Sequence, residues 1–369
     1  MGGFARSTMS PMRAALSLLI LALTSLASAQ TFDCKLAQSP REKAVCSDTR
    51  LSALDAEIAA NYKNLRARLS PESAALVQSD QREWLHWIDL VCPASGKGVA
   101  ANQTQCLQQQ YFTRAHDLAR DKIAPLGSTV IFPRSHFLFK PGNAPTSGPP
   151  VDPGFGYGSL RWPQIDRPNA AQTAFNAAVK TRAFRLPVDL FAEKSSTPKN
   201  ATFDTFVNSS GSIEGYFTIQ AANDRFVDVT LTDGIYNWGA AHPNTDGTSF
   251  LWWLDHSREL TASDVFEPSS GWQQKLVPLA IASLNSNPDL KNNLFQGDQL
   301  TKAVQQVVPD PASWTVTRDG LTITFGQYSV GPYFIGTPQA HIPWDRLKPL
   351  LAPSLNPSTL PPPSSKRQL

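Results

Sequence analysis

Apolar residues recur every three or four positions through the first third of the chain, which is the spacing of amphipathic helices. In the segment 81–92, Trp84, Trp87, Ile88 and Val91 share one stripe, and charged residues fall mostly on the opposite side. Two further stripes are formed by Leu51, Leu54, Ile58, Tyr62, Leu65 and Leu69, and by Leu107, Tyr111 and Leu118. The pattern predicts three helices packed antiparallel around a small core that contains both tryptophans.

Residues suited to helix caps stand between these stripes. Ser47 or Asp48 can cap the helix through Leu51, and Ser70-Pro71 can end that helix and begin the next one. A short polar side chain accepts hydrogen bonds from the free N–H groups of a first turn, and proline is favoured at the first helical position. We therefore expect helices to begin close to these residues.

Beyond residue 120 the periodicity is mixed. Strands are predicted at 130–132, 137–139 and 157–162, a helix at 169–184, and a hairpin at 215–219 and 225–231. Helices follow at 272–284, with a possible kink at Pro278, and at 299–308. In the run 314–328, β-forming residues flank Asp319-Gly320, a pair typical of tight hairpin turns. A strand at 333–342 and a helix at 344–351 complete the predicted elements.

These elements predict two domains. Residues 30–120 are expected to form an all-α, disulfide-stapled helical domain, and residues 156–351 an α+β domain with a mainly antiparallel sheet and packed helices. Proline, glycine and serine concentrate at 141–153, so residues 121–155 are interpreted as a linker with a possible first strand. The Pro/Ser-rich tail, residues 352–369, is predicted to be disordered.

The first 29 residues have the pattern of a secretory signal peptide. Arg6 and Arg13 form its basic region, residues 14–26 its apolar region, and Ala27-Ser28-Ala29 its cleavage site. No later apolar run reaches the length of a transmembrane helix. We therefore expect a periplasmic or secreted protein with no membrane span after the signal peptide is removed.

All four cysteines, Cys34, Cys46, Cys92 and Cys106, lie in the predicted helical domain. In an oxidising compartment they are expected to form two disulfides, for which three pairings exist. Cys34 with Cys46 and Cys92 with Cys106 is the favoured pairing, because each closes a short polar loop beside a helix. A zinc site is the weaker alternative, since the sequence holds no CxxC pair and no histidine at ligand spacing.

Composition and charge narrow the classes of partner. The chain has 369 residues, of which 41% are hydrophobic, and a formal net charge of only +3, which falls to 3 − 2 = +1 without Arg6 and Arg13. Nucleic acid is not expected as a partner, because a surface that follows phosphates needs a clustered basic face. No cofactor is predicted.

The four cysteines occur in a fixed order with the segments 32–34, 42–48 and 81–85, and with Leu51, Leu54, Tyr62 and Tyr111. This combination resembles the N-terminal domain of LprI-type lysozyme inhibitors and covers residues 32–118. The resemblance implies an exported module associated with inhibition of lysozyme.

Residues of the second half carry another resemblance. The segments 237–244, 260–266, 319–333 and 342–343 are similar to the extracellular domain of RsiV, an anti-sigma factor that senses lysozyme by binding it. The same domain accompanies the PdaC-type peptidoglycan deacetylase outside its catalytic part. The resemblance covers about residues 128–351 and implies a binding domain, whereas the transmembrane and sigma-binding segments of RsiV have no counterpart here.

His242 is the residue that most invites a catalytic interpretation. An imidazole that bonds nearby backbone groups in this turn is nevertheless the favoured interpretation. The sequence contains no nucleophile elbow, zinc-binding helix or phosphate-binding loop. It therefore predicts a protein that is not an enzyme, with a hidden glycan hydrolase or deacetylase as the open alternative.

The loop 93–105 is the favoured contact with a muramidase, because a disulfide at its base would reduce the entropy lost on docking. Gly96, Lys97 and Asn102 are its candidate binding residues, and His242 and Trp238 are the candidates in the second domain. Lys97 could meet the catalytic carboxylates of the enzyme. The predicted function is a stoichiometric lysozyme inhibitor or scavenger that protects the cell wall.

The charge of the helical domain keeps an alternative to lysozyme binding open. Residues 32–120 hold 11 basic and 10 acidic residues, so they offer no net attraction to a basic lysozyme. The alternative function is non-catalytic binding of peptidoglycan or another glycan. Tyr236, Trp238, Trp252 and Trp253 could then stack on sugar rings, although core packing is the favoured interpretation for most of them.

Overall fold

The computed structural model describes residues 33–94, 102–119, 122–142, 153–191 and 200–363. The predicted signal peptide at 1–29 and the loop residues Gly96 and Lys97 lie outside the described residues. No helix among the described residues has the length and apolar character that a membrane span requires.

The N-terminal domain is all helical, as the apolar stripes predict. After a 3₁₀ turn at Cys34–Leu36 come α1 (Pro40–Ser47), α2 (Thr49–Arg66), α3 (Pro71–Val91) and α4 (Gln103–Asp117). Asp48 caps α2 by accepting a hydrogen bond from the Leu51 N–H, and Ser70 caps α3 by accepting one from the Ser73 N–H. The predicted starts of these two helices are therefore confirmed, and α1 is an additional short helix.

Both predicted disulfides are present. Cys34 pairs with Cys46 and Cys92 pairs with Cys106, with Cα–Cα distances of 5.7 and 5.6 Å. The Gln108 amide, two residues beyond Cys106, donates to the Asp48 carboxylate, two residues beyond Cys46, at 3.1 Å. The two disulfides therefore lie at one end of the helical bundle, which we call the disulfide end.

A seven-stranded sheet forms the centre of the molecule. In spatial order, which is also chain order, its strands are β1 (Ala124–Leu126), β2 (Thr129–Pro141), β3 (Phe155–Ile165), β4 (Gly211–Ala222), β5 (Phe226–Asn237), β6 (Asn244–Trp253) and β7 (Arg258–Glu259). Neighbouring strands are antiparallel except β3 and β4, which are parallel and are connected through α5 (Ala170–Phe191) and α6 (Phe203–Phe206). Phe175 and Val179 of α5 are fully buried in the core that the helix shares with this sheet.

The C-terminal part forms a second α+β layer. It contains α7 (Ala262–Val265), α8 (Trp272–Ser286), α9 (Gly297–Val307), β8 (Trp314–Thr317), β9 (Gly320–Thr324), β10 (Gln339–Pro343) and α10 (Trp344–Leu347). The hairpin around Asp319-Gly320 is present as β8 and β9, and β10 completes a three-stranded antiparallel sheet. The predicted fold class, a helical domain followed by an α+β domain, is confirmed.

The helical domain packs directly on the sheet, because α3 lies along β2. The Trp87 indole N–H donates to the Leu138 carbonyl oxygen at 3.0 Å. The Trp87 ring packs against Phe137 and Tyr157, with centroid distances of 5.2 and 5.6 Å. The two domains thus share a continuous apolar core.

Polar contacts reinforce the same interface. The Asp80 carboxylate of α3 accepts hydrogen bonds from the Arg134 side chain and the Ser135 N–H of β2. On the neighbouring strand, Arg161 donates to Asp117 at the end of α4 at 2.8 Å. Arg134, Asp80, Arg161 and Asp117 are largely shielded from solvent. Each of these four charges therefore has a partner on the other domain.

The described parts of residues 121–155, which are 122–142 and 153–155, are more regular than the linker that the sequence predicts. The two predicted strand pieces are parts of one continuous strand, β2, which carries Pro133 opposite Pro163 of β3. The polar run Arg134, Ser135 and His136 concealed this strand, because its partners are side chains of α3 that no local pattern identifies.

Two other predictions need correction. The strand predicted at 333–342 is limited to β10, since Tyr333–Ile335 forms a 3₁₀ turn. Residues 352–363 of the predicted disordered tail pack against the domain: Leu360 is buried, and the Pro361 carbonyl oxygen accepts a hydrogen bond from the Arg318 N–H at 2.9 Å.

Candidate functional site

The loop that the sequence predicts as a contact begins at the disulfide end. Asn102 caps α4 by accepting a hydrogen bond from the Gln105 N–H at 2.8 Å, so its side chain is used in the fold. The Gln103 amide donates to the Cys92 carbonyl oxygen at 3.1 Å, beside the Cys92–Cys106 disulfide. Both ends of the loop are therefore fixed to α3 and α4.

The disulfide end also presents an apolar side chain. Leu36 lies in the 3₁₀ turn that follows Cys34, and it is 72% exposed. The Cys34–Cys46 disulfide joins this turn to α1, where Arg41 donates to Asp89 of α3 at 2.7 Å and contacts the Tyr111 hydroxyl of α4 at 3.5 Å. Because three helices are tied together here, the exposed leucine sits on a rigid support.

The Trp238 side chain packs against neighbouring residues of β3 and β5. Its indole N–H donates to the Phe155 carbonyl oxygen at 2.7 Å, and its ring lies 6.0 Å from Tyr157 and 5.7 Å from Tyr236. The side chain is half-buried against the core that the helical domain shares with β3. Trp238 therefore joins the turn between β5 and β6 to the rest of the molecule.

His242 lies in the same turn and is exposed. Its Nδ1 is 3.0 Å from the Pro243 carbonyl oxygen, and its ring stacks on Tyr333 at 4.3 Å. Contact with a neighbouring backbone group is what the favoured interpretation expected. The remaining aromatic candidates differ in position, since Trp252 is buried in the core whereas Trp253 packs on Phe226 at 5.3 Å.

A groove crosses the sheet between the helical domain and the C-terminal layer, and we call it the β4 groove. It consists of three adjoining cavities with volumes of about 710, 390 and 320 Å³. Thr113 and Asp117 of α4 lie on one side, and Thr315 and Thr324 of β8 and β9 lie on the other. Tyr216 lines all three cavities and is 48% exposed.

Strand β4 provides the floor of this groove. Five alternate residues line the cavities, namely Ser212, Glu214, Tyr216, Thr218 and Gln220, and Phe217 lines one of them as well. Gly215 and Phe217, which alternate with them, are buried. The floor from Ser212 to Gln220 spans about 26 Å at about 3.3 Å per residue. This length accommodates an extended molecule.

Most of the charged groups in the groove have a partner. Glu214 accepts a hydrogen bond from the Tyr157 hydroxyl at 3.3 Å, and burial raises the pKa of Tyr157. Arg161 is bound to Asp117 and Arg182 is bound to Glu259, at 2.8 and 2.9 Å. The lining therefore presents hydroxyl, amide and aromatic groups more than free charges.

Two buried carboxyl groups, Asp228 and Asp233, lie in β5, the strand that pairs with β4. Burial raises the pKa of Asp233 to about 8, and one of its oxygens has no hydrogen-bond partner among the described residues. Burial also raises the pKa of Asp228 to about 7, although the Val316 N–H and the Ser249 hydroxyl donate to it. Asp228 thereby ties the large sheet to β8, whereas Asp233 has no such role.

We expect Asp233→Asn to stabilise the protein at alkaline pH. Folded Asp233 keeps its proton up to about pH 8, whereas the unfolded chain loses it near pH 4. The folded state thus binds more protons between these values, and stability falls as the pH rises through them. Denaturant unfolding at pH 9 should show a gain of about 3 kcal/mol for the variant, because its amide stays neutral.

Asp228→Asn is the matched control for that measurement. The side chain of asparagine has a single oxygen, so it cannot accept both of the hydrogen bonds that the two oxygens of Asp228 accept, and this variant should lose stability. A pH profile of unfolding that is identical for the wild type and Asp233→Asn would contradict the assignment of a buried, protonated Asp233.

The sequence interpretation did not single out the β4 groove, although a signal was present. Polar residues 214, 216, 218 and 220 alternate with apolar residues, which marks a strand with one face outside the core. A second signal was concealed: β6 contains Asp246-Gly247, a pair typical of turns, and was not predicted as a strand. The groove could not be predicted because its walls come from distant parts of the chain.

Two family models match this chain. Residues 34–118 match the family described as "Lysozyme inhibitor LprI", and residues 263–345 match the family described as "Protein of unknown function (DUF3298)". The first match contains all four helices of the N-terminal domain and both disulfides. No curated protein matches the chain.

Two solved structures are similar to part of it. One is a DUF3298 family protein from Pseudomonas aeruginosa PAO1, with 16% identity and a TM-score of 0.41. The other is a DUF3298 family member from Bacteroides fragilis NCTC 9343, with 14% identity and a TM-score of 0.41. Each match covers 61% of this chain and 94% of the other. By the two family matches alone, residues 34–118, the disulfide-stapled bundle, are similar to LprI domains, and residues 263–345 are similar to DUF3298 domains.

Proposed function

We propose that this protein binds lysozyme as a stoichiometric inhibitor or scavenger and thereby protects the cell wall. The observation that supports the proposal is the LprI domain, which belongs to a family described as lysozyme inhibitors. The two disulfides and this domain indicate an extracytoplasmic protein. A muramidase would be met in that compartment.

The disulfide end is the surface that we assign to the enzyme. It offers the loop between Cys92 and Cys106, whose ends are fixed, and the exposed Leu36 on a rigid support. A preorganised loop loses less entropy when it enters a cleft. An exposed apolar side chain next to that loop supplies area that is removed from water on docking.

Inhibition follows from occlusion of the catalytic cleft. Lys97, near the middle of the loop, would place its ammonium group against the carboxylates that a muramidase uses for catalysis. The near balance of charges in the domain, 11 basic against 10 acidic residues in 32–120, gives little long-range steering. Affinity would therefore come from shape and from the loop, and it should depend weakly on salt.

Calorimetric titration of the chain without residues 1–29 into animal-type lysozyme tests the proposal, together with a cell-wall clearing assay. One-to-one binding at micromolar concentration or tighter, with loss of clearing at the same ratio, is the expected result. Binding without loss of clearing would support a scavenger and not an inhibitor. The absence of both heat and inhibition would refute the proposal for this class of enzyme.

We expect Leu36→Asp to weaken lysozyme binding by about tenfold or more, because it places a charge in the centre of the proposed contact. Phe112→Asp is the matched control, since Phe112 is also exposed, at 60%, but lies along the outer side of α4. The dissociation constants of both variants are measured by the same titration. Equal losses in both variants, or no loss for Leu36→Asp, would place the contact elsewhere.

A further inference from the structure

We propose that the β4 groove is a second binding site, and that it takes a neutral glycan strand of N-acetylated amino sugars, with Tyr216 as the ring on which a sugar stacks. Tyr216 stands at the meeting point of the three cavities and is half exposed. A tyrosine has an apolar ring and a polar hydroxyl group, so it suits a ligand with an apolar face and polar edges. Sugar rings are ligands of this kind.

The groups around Tyr216 fit a ligand that is rich in hydroxyls. Thr218 and Thr232 line the same cavity as Tyr216, and within the described part of the chain the three hydroxyls have no hydrogen-bond partner. Gln220 donates to Thr230 at 2.9 Å, which leaves the Gln220 carbonyl oxygen as an acceptor. Groups that both donate and accept match the hydroxyl and amide groups of such a glycan.

Charge argues against an anionic ligand. The charged residues that line the three cavities are the bases Lys122, Arg161 and Arg182 and the acids Asp117, Asp189, Glu214, Asp246 and Asp310. Three basic groups against five acidic ones give a formal balance of 3 − 5 = −2, and Arg161 and Arg182 are already paired. Single-stranded nucleic acid requires a positive groove, so stacked bases are not the match for Tyr216.

The position of β4 argues against an extended peptide. Such a peptide usually adds to a free strand edge through backbone hydrogen bonds. Strand β4 lies inside the sheet with β3 and β5 paired on its two sides, so it offers side chains alone. A floor of about 26 Å that presents a ring, hydroxyls, an amide and the Glu214 carboxylate, which already accepts a hydrogen bond from Tyr157, suits an oligosaccharide.

The ends of the groove support the same assignment. Tyr236 lines the cavity at the Ser212 end, beside Pro243 and Thr245. Its hydroxyl donates to the Ala240 carbonyl oxygen at 3.1 Å, which fixes the orientation of the ring. Tyr236, on β5 opposite Ser212, is thus a second aromatic ring in the groove besides Tyr216. Two rings allow a glycan strand to be bound through more than one of its sugars.

The test is calorimetric titration of the full chain without residues 1–29 with a β-1,4-linked N-acetylglucosamine hexamer, and sedimentation with purified sacculi. The wild type should bind both. Tyr216→Ala should weaken binding of the hexamer by about tenfold or more, as loss of one stacking contact does. Tyr216→Phe keeps the ring and should stay close to the wild type.

Phe112→Ala, which removes an exposed ring outside the groove, is the matched control and should bind normally. Circular dichroism of each variant checks that it is folded. Because Tyr216 is half exposed, its replacement should leave the fold intact. No binding of the hexamer by the wild type would overturn the proposal. Binding that Tyr216→Ala leaves unchanged would overturn it as well, and so would binding of a stem peptide in preference to the saccharide.

The outcome is independent of the proposed inhibition of lysozyme. Tyr216→Ala should inhibit lysozyme as the wild type does, because the disulfide end is not part of the groove. Leu36→Asp should bind the hexamer normally for the same reason. Failure of the glycan titration with intact inhibition would remove this site alone, and the reverse result would remove the inhibitor proposal alone.

Discussion

Replacement of Trp87 by alanine should lower the free energy of unfolding by about 4 kcal/mol, the largest loss that we expect from a single substitution in this protein. Trp87 is 2% exposed, and its ring fills the space between α3, Phe137 and Tyr157. Its N–H also holds the Leu138 carbonyl oxygen of β2. The variant therefore loses apolar contacts, gains a cavity and leaves a half-buried acceptor without its donor.

Denaturant unfolding followed by circular dichroism measures this loss. Trp87→Phe keeps most of the ring and removes the N–H, so it should lose a smaller amount, about 2 kcal/mol. Phe112→Ala removes an exposed ring from the same domain and should stay within about 0.5 kcal/mol of the wild type. A change of that small size for Trp87→Ala would show that the helical domain does not depend on the sheet.

Removal of the Cys92–Cys106 disulfide, as Cys92→Ser with Cys106→Ser, should have the second large effect. The bond closes a loop with a sequence separation of 14, so its loss should cost about 3 kcal/mol of stability in the chain-entropy model. The loop that we assign to the lysozyme cleft would also lose its fixed base. We therefore expect lysozyme affinity to fall by about tenfold or more, because the loop must then be ordered on binding.

Removal of the other disulfide, as Cys34→Ser with Cys46→Ser, is the matched control. Its sequence separation is 12, so the loss of stability should be similar. The loop between α3 and α4 stays closed in this control, whereas the turn that carries Leu36 loses its disulfide, so a smaller fall in lysozyme affinity would assign the larger part of binding to the loop. Titration of both variants with lysozyme, at a temperature where each is folded, tests whether the fixed loop contributes to affinity. Equal losses of affinity would show that general stability, and not the loop, governs binding.

The helical domain was predicted well because the interactions that form its helices join residues close in the chain. The apolar stripes through Leu51 and Trp84 fix the helices, and Asp48 and Ser70 fix their starts through hydrogen bonds to residues three positions away. The pairing of Cys92 with Cys106 likewise follows from a short separation. Helix periodicity, caps and short disulfides all act over a few residues, so the sequence displays them directly.

The β domain was predicted in part. The hairpin at Asp319-Gly320 depends on a local turn and was found. Strand β2 was divided because Pro133 and the polar run 134–136 interrupt its apolar pattern, and β6 was missed because Asp246-Gly247 is a pair typical of turns. Neighbouring strands stabilise both segments across the sheet. Strand pairing joins residues far apart in the chain, so local propensity describes it poorly.

The sequence by itself determined the helical bundle, its disulfides, the order of the two domains and the resemblance to lysozyme inhibitors. Only the tertiary structure decided that Trp87 and Asp80 attach the bundle to the sheet, and that Tyr216 stands in a groove between α4 and β8. The physical reason is that a helix or a cap is formed by neighbours in the chain. An interface or a groove is formed by side chains that the fold brings together from segments far apart in the chain, some of them separated by more than a hundred residues.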